Sequence, residues 1–456
     1  MVPRIQLPER VVGEGPRSAF ALGRDARSLR IVVDLDSLDE GIEAKLLLGF
    51  GAHPDVKMTP LRLAQVTPDE QGGATVEETD DDRQSWTFVR AVSNHVAVAQ
   101  QTLAMPAEPE NWARRMALVC FAELRGVDAF VTQSPELLEL ARRWGATRSN
   151  TMTPSDALAL LGLFLRHRSD FTYARGDKWE KHLTRASYYD LHATLLVPHI
   201  SRWLTRCPLT IEGERRRPRA LAEAIITRLS RALRARDGLL AHVLMDTGYE
   251  PPDDALLHLD TLLVALRGAF DAAAGITHTA HQPGANVRHP GWSNDGWCRA
   301  LKDSAPKLKP LLEAGGLVRE VFNIVNFLRD FVHAEPFEPV FEVDGREVRN
   351  GALLVPSHQD QNKFLASADA EGGRDAWGIG PLGETTYLLR LHTFAERVLP
   401  STAAAIDALC ESVDVEHFGV GTEEDERAWI AAMAARAGDA IIPVLALGGV
   451  RPRPSR

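Results

Sequence analysis

Residues 127–166, VDAFVTQSPELLELARRWGATRSNTMTPSDALALLGLFLR, decide the fold of the N-terminal third. Val127 to Thr132 is a short apolar, β-branched run, the pattern of a buried strand. Ser134 then serves as an N-cap and Pro135 takes the first helical position, and the helix Glu136 to Trp144 stops at Gly145. The device repeats at Thr153, Pro154 and Asp156, an N-cap with an acid three residues on, opening the helix DALALLGLFLRHR. Strand, capped helix, link and capped helix is the rhythm of an α/β unit.

Working outward, Leu29 to Leu35 (LRIVVDL) reads as a second buried strand that ends in acids at Asp34, Asp36, Asp39 and Glu40. A helix is expected from about Asn111 to Arg125. Between them, His53 to Arg83 is rich in Gly, Pro and acids, with the run Glu77, Glu78, Asp80, Asp81, Asp82, and is expected to be a mobile loop. Beyond Arg168 the apolar period becomes helical, through Tyr188–Trp203, Ala220–Leu233, Leu256–Ala274, Trp297–Leu312, Leu317–Val332 and Thr386–Cys410. The interruption at Pro339 to Pro356 alternates around Asp344-Gly345, a hairpin signal of type I′. The expected organisation is an α/β domain over 1–168, a mainly α-helical domain over 169–425 with a β-hairpin insertion near 340–356, and a terminal helix with a disordered tail, GGVRPRPSR, over 426–456.

Composition bounds the function. With 456 residues, two or three domains are expected, and 45% hydrophobic with 25% charged residues is ordinary globular usage. A net charge of −10 argues against a protein that coats DNA, which needs a strongly basic surface. Cys120, Cys207, Cys298 and Cys410 have neither CxxC nor finger spacing. The apolar runs are too short for a bilayer span and the N-terminus lacks a secretory signal, so a cytoplasmic protein without membrane contact is expected. The arginines Arg215, Arg216, Arg217 and Arg219 read as a solvated loop before they read as a phosphate patch.

Two constellations could carry chemistry. Asp34 and Asp36 leave one strand and Asp128 begins another; on neighbouring parallel strands such carboxylates could converge on a hard divalent cation. Acids at strand ends are also ordinary turn and capping residues. On the helix Gly316 to His333, Leu317, Val321, Ile324, Leu328, Phe331 and Val332 fall on one arc and Arg319, Asn323, Asn326, Arg329, Asp330 and His333 on the other. Arg329 and His333 are four apart and share a face, which suits a phosphate clamp beside a general acid/base, or simply a solvated stripe ending on the helix dipole. Phe322 lies within the polar arc and points to a packed partner there.

The stretch 127–166, with the IVVDLDS strand, resembles the closing part of PIN-like domains. That resemblance implies metal-binding acids at Asp34, with Asp36 as fallback, and at Asp128, with Mg or Mn as the cation. NFLRDFVHAEP resembles the arginine–histidine helix of HEPN-like domains, several of which are metal-independent ribonucleases acting as dimers. It implies Arg329 and His333 as a catalytic pair, Asp330 as the polar residue after the arginine, Asn326 beside them and no cofactor. Together the resemblances imply an RNA-directed nuclease of a toxin or phage-defence kind, acting as a homo-oligomer or with a partner protein encoded nearby. No middle acid is placed by motif, and only three residues separate Arg329 from His333. A catalytically inactive interaction or sensor protein on the same folds is therefore the alternative. Weaker signals are the glycines Gly378, Gly380 and Gly383, the histidines His278, His281 and His289, and the tryptophans Trp292, Trp297 and Trp377. These are expected to be loop or core residues.

Overall fold

The fold is taken from a computed structural model, which describes residues 19–80, 83–90, 92, 109–144, 150–175, 178–180, 183–211, 217–244, 253–282, 290–334, 337–344 and 347–451. In the N-terminal third, β1 (Leu29–Asp34), β2 (Val56–Leu61), β6 (Ala129–Val131) and β7 (Asn150–Met152) form a parallel sheet of order β2-β1-β6-β7. The β-branched run of β1 sits at its centre because both faces are covered. Ile31 and Val33 join one core with Ala129 and Val131, while Val32 joins another with Phe130. The first face carries α1 (Ile42–Gly49) and α4 (Pro154–His167); the second carries α2 (Pro109–Leu124), with Trp112 and Met116, and α3 (Pro135–Trp144), with Leu137 and Leu140. Thr153 caps α4 as its sequence predicts, its hydroxyl accepting from the Asp156 amide at 3.2 Å.

The expected loop from 53 to 83 is instead largely strand. Lys57, Thr59 and Pro60 disguise β2, which tolerates them because it is an edge strand where a missing N–H breaks no ladder. After it, β3 (Val66–Pro68), β4 (Ala74–Asp80) and β5 (Arg83–Val89) form an antiparallel sheet of order β3-β4-β5, whose buried Val66, Ala74, Val76 and Val89 pack on α2. The acids obscured an alternation of period two.

The remainder is mainly helical. After the short pair β8 (Tyr173–Arg175) and β9 (Lys178–Glu180) come α5 (Arg185–Leu196), α6 (Ile200–Arg206), and the long α7 (Pro218–Leu244) and α8 (Asp253–His281), which pack along each other. Then follow α9 (Asp295–Ser304), α10 (Lys309–Leu312) and α11 (Leu317–Ala334). The expected hairpin is present as β10 (Pro339–Asp344) and β11 (Glu347–Leu354), with Asp344 opposite Glu347; its turn, 345–346, lies outside the described residues. It is half of a four-stranded sheet, order β10-β11-β13-β12, completed after α12 (Gln361–Ala370) by β12 (Ile379–Pro381) and β13 (Tyr387–Arg390). The helical pattern expected from Thr386 therefore begins only at α13 (Leu391–Ser412). Finally α14 (Glu423–Ala437) and α15 (Ile441–Gly448) return the chain to the α/β unit.

That return joins the two parts. One hydrophobic core runs from Ala19 to Val450 across residue 168, and the segment expected to be a disordered tail is packed as far as Arg451, whose guanidinium bonds Glu43 and Ser155. Glu423–Gly448 is, among the described residues, the one helical stretch long and apolar enough to cross a membrane by length and composition; its helix breaks at Gly438, which has positive φ.

Candidate functional site

The strand order reverses between β1 and β6: from β1 the chain moves outward to β2 on one side, and β6 and β7 extend the sheet on the other. Open parallel sheets bind ligands in the crevice beyond the carboxyl ends of the strands at such a switch point. At the corresponding place here, termed the crevice, stand the residues after β1 and after β6. Asp34, the last residue of β1, is fully buried. Its Oδ2 accepts from the Thr132 hydroxyl at 3.1 Å and lies 3.4 Å from Arg115 Nε on α2, while its Oδ1 has no hydrogen-bond partner among the described residues. Burial raises the Asp34 pKa above the usual carboxylate value, against the opposing pull of Ser37, Arg115 and Thr132.

Hydroxyls tie the two walls together. Ser37 Oγ lies 3.0 Å from Thr132 Oγ1 and accepts from the Gln133 amide at 3.0 Å, and Gln133 Oε1 accepts from the Asp39 amide at 2.7 Å. Thr132 Oγ1 also accepts from the Ser134 amide, and the Ser134 hydroxyl donates to Glu136 at 2.8 Å. Asp39 turns an oxygen back onto the Gly41 amide. On the α2 side stand Arg62, Arg114 and Arg115. Arg62 pairs with Asp36 at 3.3 Å, and Arg114 pairs with Glu110 and donates to the Leu63 carbonyl.

The three expected metal ligands do not converge. Asp36 accepts from the Leu63 amide and pairs with Arg62, so it caps the turn after β2. Asp128 lies at the opposite end of the sheet: the register Ile31↔Ala129 sets it level with Arg30, four residues before Asp34 and thus roughly 13 Å away along the strand. There Arg27 grips it with two bonds at 2.6 and 2.7 Å and the Arg30 amide donates at 2.9 Å. A cation with ligands at ~2.0–2.6 Å cannot bridge Asp34 and Asp128. The donor set at the crevice, one buried acid with hydroxyls and an amide oxygen, does not fit the paired-cation centre of a nuclease. Among the described residues no group of three His, Cys, Asp or Glu could hold a metal.

On α11, Asn326, Arg329 and Asp330 do come together, in a network closed by a residue the sequence did not indicate. Arg267 of α8 donates to Asn326 Oδ1 at 2.9 Å, Asn326 donates to Asp330 at 2.8 Å, and Arg329 donates to the other Asp330 oxygen at 3.2 Å. Arg267 also pairs with Asp271 and lies over the Phe322 ring, 4.5 Å from its centroid. Phe322 is thereby buried, which explains its place in the polar arc. Burial lowers the Arg267 pKa, against the pull of Asp271 and Asp330. The His333 side chain lies outside the described residues.

The weaker motifs resolve structurally. Gly378 has a left-handed conformation before β12, so the glycine triplet shapes a strand entry and not a phosphate loop. Trp292, Trp297 and Trp377 are buried; His278 and His281 lie on the last turn of α8, where Trp297 donates to His278 Nδ1, and His289 is outside the described residues. Of the arginine cluster, Arg215 and Arg216 are likewise outside, and Arg219 pairs with Glu223. The residues that sequence reasoning missed are Arg115, Ser37, Thr132 and Gln133, whose signal was the close of the 127–132 strand on a Thr-Gln-Ser turn. No protein-family model, curated protein or solved structure matches the chain.

Proposed function

We propose that the chain is an RNA-binding protein on a PIN-like α/β unit, in which the crevice beyond β1 and β6 receives the phosphate backbone without two-metal hydrolysis. One observation carries this reading: the guanidinium groups of Arg62, Arg114 and Arg115 stand along one wall, each beside one carboxylate, Asp36, Glu110 and Asp34 in turn. A phosphate can displace water-exposed carboxylates from guanidinium groups such as Arg62 and Arg114, and burial disfavours the charged form of Asp34. The resemblance to PIN-like and HEPN-like domains supplies RNA as the polymer. The contacts that tie Arg329 and Asn326 to Asp330, and Asn326 to Arg267, support a structural role there in preference to catalysis.

The test is a titration of fluorescein-labelled single-stranded RNA in EDTA, with parallel incubations in Mn²⁺ and in EDTA. Binding that survives chelation, weakens as salt rises and drops in Arg115→Glu, with RNA intact throughout, is the expected result. Cleavage in Mn²⁺ that disappears in Asp34→Asn would make the crevice a nuclease site. Cleavage in EDTA that disappears in His333→Ala would move the function to α11.

A further inference from the structure

The sheet β3-β4-β5 has a second face. Its inner face is apolar and covers α2, and an outer face that only met water would be polar throughout. Instead β5 turns Trp86 and Phe88 outward, 63% and 49% exposed. Two residues apart on one strand, their Cα atoms are spaced by roughly 6.7 Å and both side chains leave the same face. Arg90 follows on that side, its guanidinium 5.9 Å from the Phe88 ring centroid. The facing strand sets Glu77 opposite Trp86 and Thr75 opposite Phe88. Gln65, in the turn that follows Arg62 of the crevice wall, donates to the Glu77 carbonyl, so the platform and the crevice adjoin.

We infer that this face is a stacking platform for single-stranded RNA, and that it favours bases carrying an exocyclic amino group. The inference rests on the RNA-binding reading above and extends it to a second site. Adjacent aromatic side chains on a solvent-facing sheet are how sheet proteins hold successive unpaired bases. Arg90, at the end of the aromatic row, supplies the cation for the backbone. Glu77 stands beside Trp86 as an acceptor, which an exocyclic amino group satisfies, whereas uracil offers only an N3–H flanked by two carbonyl oxygens that the carboxylate repels. The neighbouring Glu78 does not oppose the strand, because it belongs to the other face, where Ser85 and Arg125 engage it. Among the described residues of this face Arg90 offsets Glu77, so the two rings, and not net charge, would hold the strand. A second protein chain would find its apolar contact on this face limited to two rings.

The experiment measures binding of fluorescein-labelled twelve-nucleotide oligo(A), oligo(C) and oligo(U) RNA to the full chain by anisotropy, with sedimentation of the free protein alongside. Trp86→Ala and Phe88→Ala should each weaken oligo(A) about tenfold. Trp86→Phe, which keeps a ring, should restore most of that loss, and the wild type should prefer oligo(A) and oligo(C) over oligo(U), a preference that Glu77→Gln narrows. Melting points of these exposed-site variants should match the wild type, so a loss of binding reports the surface and not the fold. If the wild type binds but Trp86→Ala and Phe88→Ala bind equally well, the platform is overturned while the crevice reading stands. A wild type that binds no oligonucleotide overturns both. A wild-type dimer that Trp86→Ala dissociates, with RNA affinity unchanged, would show the face to be a self-association surface and would overturn the proposal.

Discussion

Asp34 is the residue on which the site turns, and its environment makes a prediction independent of any ligand. Burial raises its pKa, so in the folded state it holds its proton to a higher pH than in the unfolded chain. A raised carboxyl pKa contributes stability that is present at acid pH and is lost as pH rises through the folded-state value. Asp34→Asn keeps the shape and removes that loss. Melting curves should therefore show the variant at or above the wild type at pH 7, with the gap closing as pH falls towards the ordinary carboxylate pKa near 4; a variant markedly less stable at pH 7 would show that the charge is compensated. The α11 network should behave in the opposite sense. Asn326→Ala leaves the half-buried Arg267 without one acceptor and should cost about 1–2 kcal/mol in a urea titration. Asp34 and the Arg329 helix were legible in sequence because strand-end acids and a helical stripe are local patterns. Arg115 and Arg267 were not legible, because each reaches its partner across elements 81 and 59 positions away in the chain, as Arg115 does to Asp34 at 3.4 Å and Arg267 to Asn326 at 2.9 Å.

At the scale of elements, α15 is held by polar contacts that its apolar sequence does not suggest. Arg166 of α4 pairs with Asp237 of α7 at 2.6 Å and donates to the Leu447 carbonyl, Arg236 donates to the Gly448 carbonyl, and His192 Nε2 meets the Val450 carbonyl at 2.8 Å. Terminal carbonyls of a helix attract cations, and here the buried Arg166 and Arg236 supply the partners, with His192 on a carbonyl just beyond the helix. The close approach depends on small residues: a Cβ on Gly162 would come 1.9 Å from the Leu447 oxygen. Gly162→Ala should accordingly loosen α15 and increase amide exchange over residues 441–448, and unchanged exchange would contradict the packing described. Asp237→Ala strands two buried guanidinium groups and should cost about 3–5 kcal/mol. His192 adds an acid limit. Its pKa falls to about 4, chiefly through burial, so the stability it lends is complete above 6.5 and is lost as pH drops towards 4. Elements with strong caps or long period-3.6 patterns were readable from sequence; β2, β3 and β4 were not, since an edge strand with a proline and an acidic hairpin lack the apolar run that marks a buried strand.

Over the whole molecule, one core joins the first face of the parallel sheet to the helical part, and a second core, between α2 and the sheet β3-β4-β5, carries the platform. A net charge of −10 repels RNA at long range, so on the proposed reading affinity would have to come from contacts concentrated at the crevice arginines and the two exposed rings. Binding should therefore be more sensitive to Trp86 and Arg115 than to arginines elsewhere on the surface. The most direct test of that claim is the anisotropy titration of labelled single-stranded RNA in EDTA at two salt concentrations. The account predicts saturable binding to intact RNA that weakens at the higher salt and is reduced by both Arg115→Glu and Trp86→Ala; absence of binding, or a Mn²⁺-dependent cleavage that Asp34→Asn abolishes, would contradict it.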